Sequence, residues 1–397
     1  MKELNTINTL EYGTNETTSE VSEVRKITNC HKYSRIPNSE YPQMLTKEDF
    51  QRIIEDGIAG NRELFYEALP LNITNVCNLD CIWCFWREDE SFANGNLDFD
   101  KFKKILDLNT DQFENWDTIN LCSGGEVFKN QDLLKMLEYV KEKFPSKRRW
   151  IVTNATYPVT GWYEKCYKLL DRITISIDGA SAEVYEKIRT PAKFKPFLRN
   201  LKNIVNINEN IEIQLAMTVS TLNIHEMVDV VKLGAELKHV NLVWVQPAVI
   251  TNENLIKKIG DININKMPRE EIDFHFAKAR KEAEKHGILF GHADMDTFYG
   301  VEGKNVNGCL APWTRGPFTI TDYVMPCSFM DVSKENRKII EEKYNLGNPQ
   351  EKSLEDIYNS EGFWKFRKDL LEGKTKELCG DCMYKNAFRK EDIRFKK

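Results

Sequence analysis

From residue 68 to residue 246, short β-type runs alternate with stretches of helical period, and the alternation repeats six times. The runs, rich in Ile, Leu, Val and Thr, read as strands: Leu69 to Thr74, Thr118 to Cys122, Trp150 to Asn154, Arg172 to Asp178, Glu212 to Val219 and Val240 to Gln246. Apolar residues at helical spacing fall between them, in Phe99 to Leu108, Gln131 to Phe144, Ala182 to Arg189, Phe197 to Asn206 and His225 to Leu237. Strands that alternate with helices make a parallel sheet with right-handed crossovers, either doubly wound or curled into a barrel. Further on, Arg269 to His286 reads as a long helix and Ile288 to His292 as a further strand, one that would leave the barrel if the sheet curls into one. Phe318 to Val324 reads as a β-hairpin turning near Thr321 and Asp322, and S-L-E-D-I-Y as a helix from Ser353.

The first 66 residues lack this order. Up to about residue 40 they are rich in Asn, Thr, Ser, Glu and Lys, which suits a mobile or loosely docked arm. Thr46 and Asp49 then form a capping box ahead of a helix over 47–57. The expected division is an extension over 1–66, an α/β domain over 67–290 and a smaller domain over 291–397.

Hydrophobic residues at 41% and charged residues at 29% suit a soluble protein. A net charge of −5 argues against a nucleic-acid partner, and Lys147, Arg148 and Arg149 read as a solvated turn. No apolar run reaches the ~18 residues of a membrane span and no signal-peptide core follows Met1, so no membrane partner and a cytoplasmic location are expected.

What changes the picture is cysteine. Of the ten, seven fall into two spaced sets. Cys77, Cys81 and Cys84 stand in V-C-N-L-D-C-I-W-C-F-W. Thiolates at such spacing hold iron-sulfur clusters, and three of them on a four-iron cluster leave one iron open for chemistry. The alternative, structural zinc, is closed by four ligands, and no fourth Cys or His lies nearby. Cys309, Cys327, Cys379 and Cys382 form the second set, and four thiolates can hold tetrahedral zinc or a 4Fe-4S cluster, with zinc the better fit when the set is taken in isolation. Cys122 and Cys166 read as ordinary buried thiols, and Cys30 has no partner spacing.

The C-x3-C-x2-C signature with Trp83 before its last cysteine resembles the radical S-adenosylmethionine enzymes. The resemblance implies a partial six-stranded (β/α) TIM-like barrel with its site at the C-terminal strand ends. It also implies reductive cleavage of S-adenosylmethionine to a 5'-deoxyadenosyl radical that abstracts a substrate hydrogen. Strand ends carry matching motifs. Ser123-Gly124-Gly125-Glu126 matches a G-G-E segment whose backbone meets the methionine amino group. Thr153-Asn154-Ala155 is close to T-N-G, with Ala155 in place of glycine, and Ser176-Ile177-Asp178-Gly179 is like S-x-D-G, whose Ser meets the ribose or carboxylate. Arg189 matches an arginine that pairs with the cofactor carboxylate, and Val245 and Gln246 would offer backbone to adenine. C-L-A-P-W, V-M-P-C, N-L-G-N-P and C-G-D-C look like the auxiliary-cluster region of the SPASM/Twitch branch, in its shorter Twitch form, so the resemblance implies two 4Fe-4S clusters.

His292, Asp294 and Asp296 alternate ahead of that region, where His and Asp suit positioning or deprotonating a substrate, against the plainer reading of a polar loop. Asp322, in the hairpin turn, is a further catalytic candidate. The function expected is oxidation of a small polar metabolite such as an amino sugar or aminocyclitol, the substrate's electron passing to the auxiliary cluster and a flavodoxin or ferredoxin serving as reductase. The alternatives are a peptide maturase that crosslinks or epimerises residues, and a non-catalytic zinc or electron-transfer protein.

Overall fold

The fold is that of a computed structural model, which describes residues 68–84, 95–111, 118–122, 124–207, 210–237, 239–248, 250, 253–293, 295–299, 312, 318–320, 323–327 and 334–379. The expected helix at 47–57 lies outside them.

The strands are β1 (Ala68–Asn72), β2 (Thr118–Leu121), β3 (Arg148–Thr153), β4 (Arg172–Ser176), β5 (Glu212–Val219), β6 (Val240–Pro247), β7 (Leu289–His292), β8 (Phe318–Ile320) and β9 (Tyr323–Met325). Helices α1 (Phe99–Asp107), α2 (Leu133–Lys143), α3 (Gly161–Lys168), α4 (Ala182–Ile188), α5 (Phe194–Ile204) and α6 (Met227–Glu236) connect the first six. After β6 come α7 (Glu253–Ile259), α8 (Arg269–His286) and α9 (Met295–Tyr299), then α10 (Lys334–Ile339), α11 (Leu354–Tyr358), α12 (Glu361–Leu371) and α13 (Lys376–Cys379). Hydrogen bonds order the strands β7-β6-β5-β4-β3-β2-β1-β8-β9, parallel except for the β8–β9 hairpin. The six expected strands thus form the middle of a larger sheet. The seventh does not leave the barrel, because its Leu289 and His292 pair in parallel with Leu242 and Val245 of β6. Nor is the hairpin separate: Ile320 of β8 pairs with Asn72 of β1.

Sequence parity sets the two faces. Leu71, Ile119, Ile151, Ile173, Leu215 and Val243 are fully buried. Their face is the helix side, since Leu215 and Val243 lie against Gly234 of α6. The opposite face carries Asn120, Trp150, Arg172, Thr174, Gln214, Thr218, Trp244 and Gln246. Parallel strands covered on both faces are usually apolar throughout. Here the second face is polar and cross-bonded, with Trp150 Nε1 donating to Thr174 Oγ1 at 2.9 Å and Arg172 Nη2 to Gln214 Oε1 at 2.6 Å. This is the lining of an open, partial barrel.

The C-terminal region docks on the same core. Buried Asn109, at the end of α1, accepts from the Leu354 backbone N–H at 2.8 Å and so caps α11 from outside. Arg367 is buried between the rings of Tyr358 and Phe363, with its Nη1 donating to the Tyr358 carbonyl at 2.8 Å. Among the described residues, no helix is long and apolar enough to cross a membrane.

Candidate active site

The loop after β1 carries Cys77, Cys81 and Cys84, each half-buried, and is held from two sides. On one side the turn after β2 docks on it: Gly125 N donates to the Thr74 carbonyl at 3.2 Å and Glu126 N to the Val76 carbonyl at 2.8 Å. A Cβ on Gly125 would stand 2.2 Å from the Val76 carbonyl oxygen, so glycine is required there by the cysteine loop's own backbone. On the other side the end of α4 offers carbonyls. Asp80 N donates to Thr190 O at 2.7 Å and Ile82 N to Ile188 O at 3.0 Å. The loop's end is turned by Cys84 N donating to Cys81 O at 3.0 Å.

Asn154 crosses from β3, with its Nδ2 3.0 Å from Asn78 Oδ1 and 3.9 Å from Cys77 Sγ. Ala155 keeps the backbone of the glycine it replaces, at φ 54° and fully buried, which costs a residue with a Cβ about 1 to 2 kcal/mol. Asn200 of α5 supports that turn by donating to the Ala155 and Thr156 carbonyls at 3.1 and 3.0 Å.

Glu126 does not present its carboxylate to the interior. It is 1% exposed and accepts from Thr153 Oγ1 and Asn154 N, each at 2.7 Å, tying the turns after β2 and β3 together. Burial pushes its carboxyl up to about 7, against those donors. Its pKa is therefore above the unfolded value, the folded state holds the extra proton between about 4.5 and 7, and stability falls as pH rises through that window. Glu126→Gln, which cannot ionise, should flatten the fall, worth about 3 kcal/mol at most. Thermal melts of both proteins across the window measure it, and parallel curves would remove this role.

Asp178 and Arg189 form a buried pair, Arg189 Nε to Asp178 Oδ2 at 2.8 Å, and Thr218 N donates to Asp178 Oδ1 at 2.8 Å. Arg189 is 8% exposed, so it is not a solvated surface cation, and its Nη atoms bond no described residue. Burial pushes the Cys81 thiol up to about 11, opposed chiefly by Arg189, the cation that favours the thiolate. Asp178, at 1% exposure, is spent on Arg189 and Thr218 and orients the guanidinium.

Two residues with no motif behind them complete this corner. Glu226 accepts from Ala180 N at 2.7 Å and from the Ser181 hydroxyl, and Asn223 Nδ2 donates to Asp178 O at 2.9 Å. Gly179 is required because a Cβ would meet Tyr185 N at 2.8 Å and Glu226 Oε2 at 3.0 Å. The only signal for the clamp was an Asn and a Glu opening a helix.

The remaining sites fall unevenly. Ser176 ends β4 on the interior face, and Gly124 N donates to Asn72 Oδ1 at 3.1 Å. Trp83 packs against Ile250, Leu255 and Ile262. Gln246 is on the interior face and exposed, whereas the Val245 side chain faces the helices and its carbonyl accepts from Ala293 N at 2.9 Å. His292 needs correction. It pairs with Val245 and so points to the helix side, away from the interior, with Phe276 at 5.2 Å and its Nε2 3.2 Å from Arg280 Nη2. Strand parity put it there, and burial lowers its pKa, so its place is structural. Asp294 and Asp322 lie outside the described residues, as do Ser123, Cys309 and Cys382. Asp296 is in α9, with no described side chain. Cys327 and Cys379 are half-buried and pack against the main core.

The donor set fits the implied groups. Among the described residues, no three Cys, His, Asp or Glu side chains converge on a single metal ion. Cluster thiolates need no such point, since each binds a different iron. The Arg189 Nη pair is suited to a carboxylate.

Two family models match the chain, the radical SAM superfamily over 71–234 and the SPASM iron-sulfur cluster-binding domain over 309–383. The chain is 25% identical over 394 residues to the antilisterial bacteriocin subtilosin biosynthesis protein AlbA of Bacillus subtilis, covering 92% of this chain and 81% of that one. It is 26% identical over 334 residues to an AdoMet-dependent heme synthase of Methanosarcina barkeri, covering 79% and 88%. In fold it is similar to SuiB of Streptococcus suis bound to precursor peptide SuiA, with TM-score 0.55 at 13% identity, over 83% of this chain and 74% of that one.

Proposed function

Because this chain is a radical S-adenosylmethionine enzyme of the SPASM branch, we propose that it modifies a peptide by hydrogen abstraction within the partial barrel. When bound, the groups supply a 5'-deoxyadenosyl radical that takes the substrate hydrogen and, at the second cysteine set, a 4Fe-4S acceptor for the electron left on the substrate. The observation that carries the peptide is the likeness to AlbA, which spans 92% of this chain and whose name assigns it to bacteriocin biosynthesis.

The chain's own residues position the reaction. Cys77, Cys81 and Cys84 hold the first cluster, and Cys309, Cys327, Cys379 and Cys382 the second. Arg189, aimed by Asp178, receives the carboxylate of S-adenosylmethionine, and Ser176 stands at the same strand end to meet its ribose. Gly124 and Gly125 bring backbone beside the cluster, and Trp83, Asn154 and Gln246 complete the walls. A flavodoxin or ferredoxin supplies the electron in the cytoplasm.

The polar interior favours a second reading, oxidation of an amino sugar or aminocyclitol, because Thr174, Gln214 and Thr218 offer hydroxyl and amide partners to such a substrate. Deuterium decides between them. The reconstituted enzyme is given a deuterated peptide library or deuterated amino sugars and aminocyclitols, and label in 5'-deoxyadenosine is measured. Label from peptides alone is the expected result. Label only from the sugars or cyclitols would replace the peptide reading with the second.

A further inference from the structure

We propose that the aromatic patch of Tyr157, Val159, Trp162 and Tyr163, flanked by the basic residues of α3 and α5, is the docking surface for an acidic one-electron donor protein. The proposal rests on reading Cys77, Cys81 and Cys84 as a redox centre, and adds where its electron enters.

The patch adjoins the cysteine loop through bonded atoms. Asn78, next to Cys77, donates from Nδ2 to Thr156 Oγ1 at 2.8 Å, and Tyr157 follows. The Tyr157 ring stacks on Tyr163 with centroids 5.0 Å apart, and Tyr163 and Trp162 lie edge-on to Phe128 at 5.6 and 6.2 Å. These outer rings and Val159 are half-buried, so the cluster loop reaches the surface beneath a small apolar face.

Charge selects the partner. The whole chain carries −5, yet residues 156–206 hold nine Lys and Arg against five Asp and Glu, a net of +4. Lys168 is neutralised by Glu164 and Lys193 by Glu186, each pair at 2.6 Å. Lys165 on α3 and Lys195 and Arg199 on α5 are exposed and make no ion pair with a described residue. Asn200, through its bonds to the Ala155 and Thr156 carbonyls, fixes α5 beside the patch. An apolar centre with a charged rim is how protein interfaces are built. An acidic donor is repelled by the negative chain as a whole and steered to this face, where the path to Cys77 is short.

The test compares the reconstituted enzyme with a variant carrying Lys165→Glu, Lys195→Glu and Arg199→Glu, using reduced flavodoxin and, separately, dithionite as electron source. Calorimetry with oxidised flavodoxin at low and high salt measures binding directly. The variant should bind flavodoxin at least about tenfold more weakly at low salt and lose the salt dependence. Its flavodoxin-driven 5'-deoxyadenosine should fall alike, while the dithionite-driven yield is unchanged. Unchanged flavodoxin binding overturns the proposal, and so does an equal loss with dithionite, because the residues would then serve the cluster site itself. Unmodified enzyme that makes no 5'-deoxyadenosine with dithionite would instead fail the redox reading on which the proposal rests.

Discussion

Replacing Cys77, Cys81 and Cys84 together by alanine is expected to reduce 5'-deoxyadenosine formation to the level without enzyme. On the proposed reading each thiolate would occupy a separate iron, so the three losses would remove the whole electron donor. The protein should still fold. The loop's backbone bonds, Glu126 N to Val76 O at 2.8 Å, Asp80 N to Thr190 O at 2.7 Å and Ile82 N to Ile188 O at 3.0 Å, do not involve the sulfurs. Iron should drop from about eight per chain to about four, the remainder held by Cys309, Cys327, Cys379 and Cys382. Iron analysis and product chromatography on anaerobically reconstituted protein check both halves. Cleavage that survives the triple substitution would end the assignment of this loop as the radical source, and loss of all iron would assign none to the second set.

The next largest effect should come from one methyl group. Gly125→Ala places a Cβ 2.2 Å from the Val76 oxygen, 2.5 Å from its carbonyl carbon and 2.7 Å from that of Asn75, all backbone atoms with no side chain to swing aside. The turn after β2 must move off the cysteine loop and lose both its backbone bonds to Thr74 and Val76, at about 1 kcal/mol each, with steric strain in addition. A loss of about 3 to 5 kcal/mol and of iron at the first set follows. Gly161→Ala is the control: its Cβ would meet nothing within 4 Å, so only the φ of 57° matters and about 1 kcal/mol should be lost. Denaturant melts of the two apoproteins, with iron retention after reconstitution, measure the difference. Equal destabilisation would mean that the docking of the two turns is not what glycine serves.

Arg189 separates what a motif says from what a fold does. Its spacing after S-I-D-G was legible, but a lone arginine at the end of a helix gives no sign of burial. The structure buries it against Asp178, at 2.8 Å, because the end of α4 must reach back to the cysteine loop with its Ile188 and Thr190 carbonyls. Removing one partner of such a buried pair leaves an uncompensated charge, a loss of about 3 to 5 kcal/mol, so the pair is at once scaffold and candidate ligand.

The sequence by itself determined the α/β class, the six middle strands, the spacing of the cysteines and the G-G-E and S-I-D-G turns, because alternation, thiolate spacing and glycine-bearing strand ends are local patterns written over a few residues. Other features join residues far apart in the chain, and only the tertiary structure decided them. The sheet continues through β7 and β8, because strand pairing with β6 and β1 depends on crossovers that no local pattern encodes. Glu126 turns to Thr153 and Asn154, and Asn223 and Glu226 clamp the loop after β4, because buried donors and acceptors must find partners wherever the fold brings them. His292 looked suited to positioning or deprotonating a substrate, and register with Val245 sent it to the helix side, since a residue's face is set by the strand it pairs with.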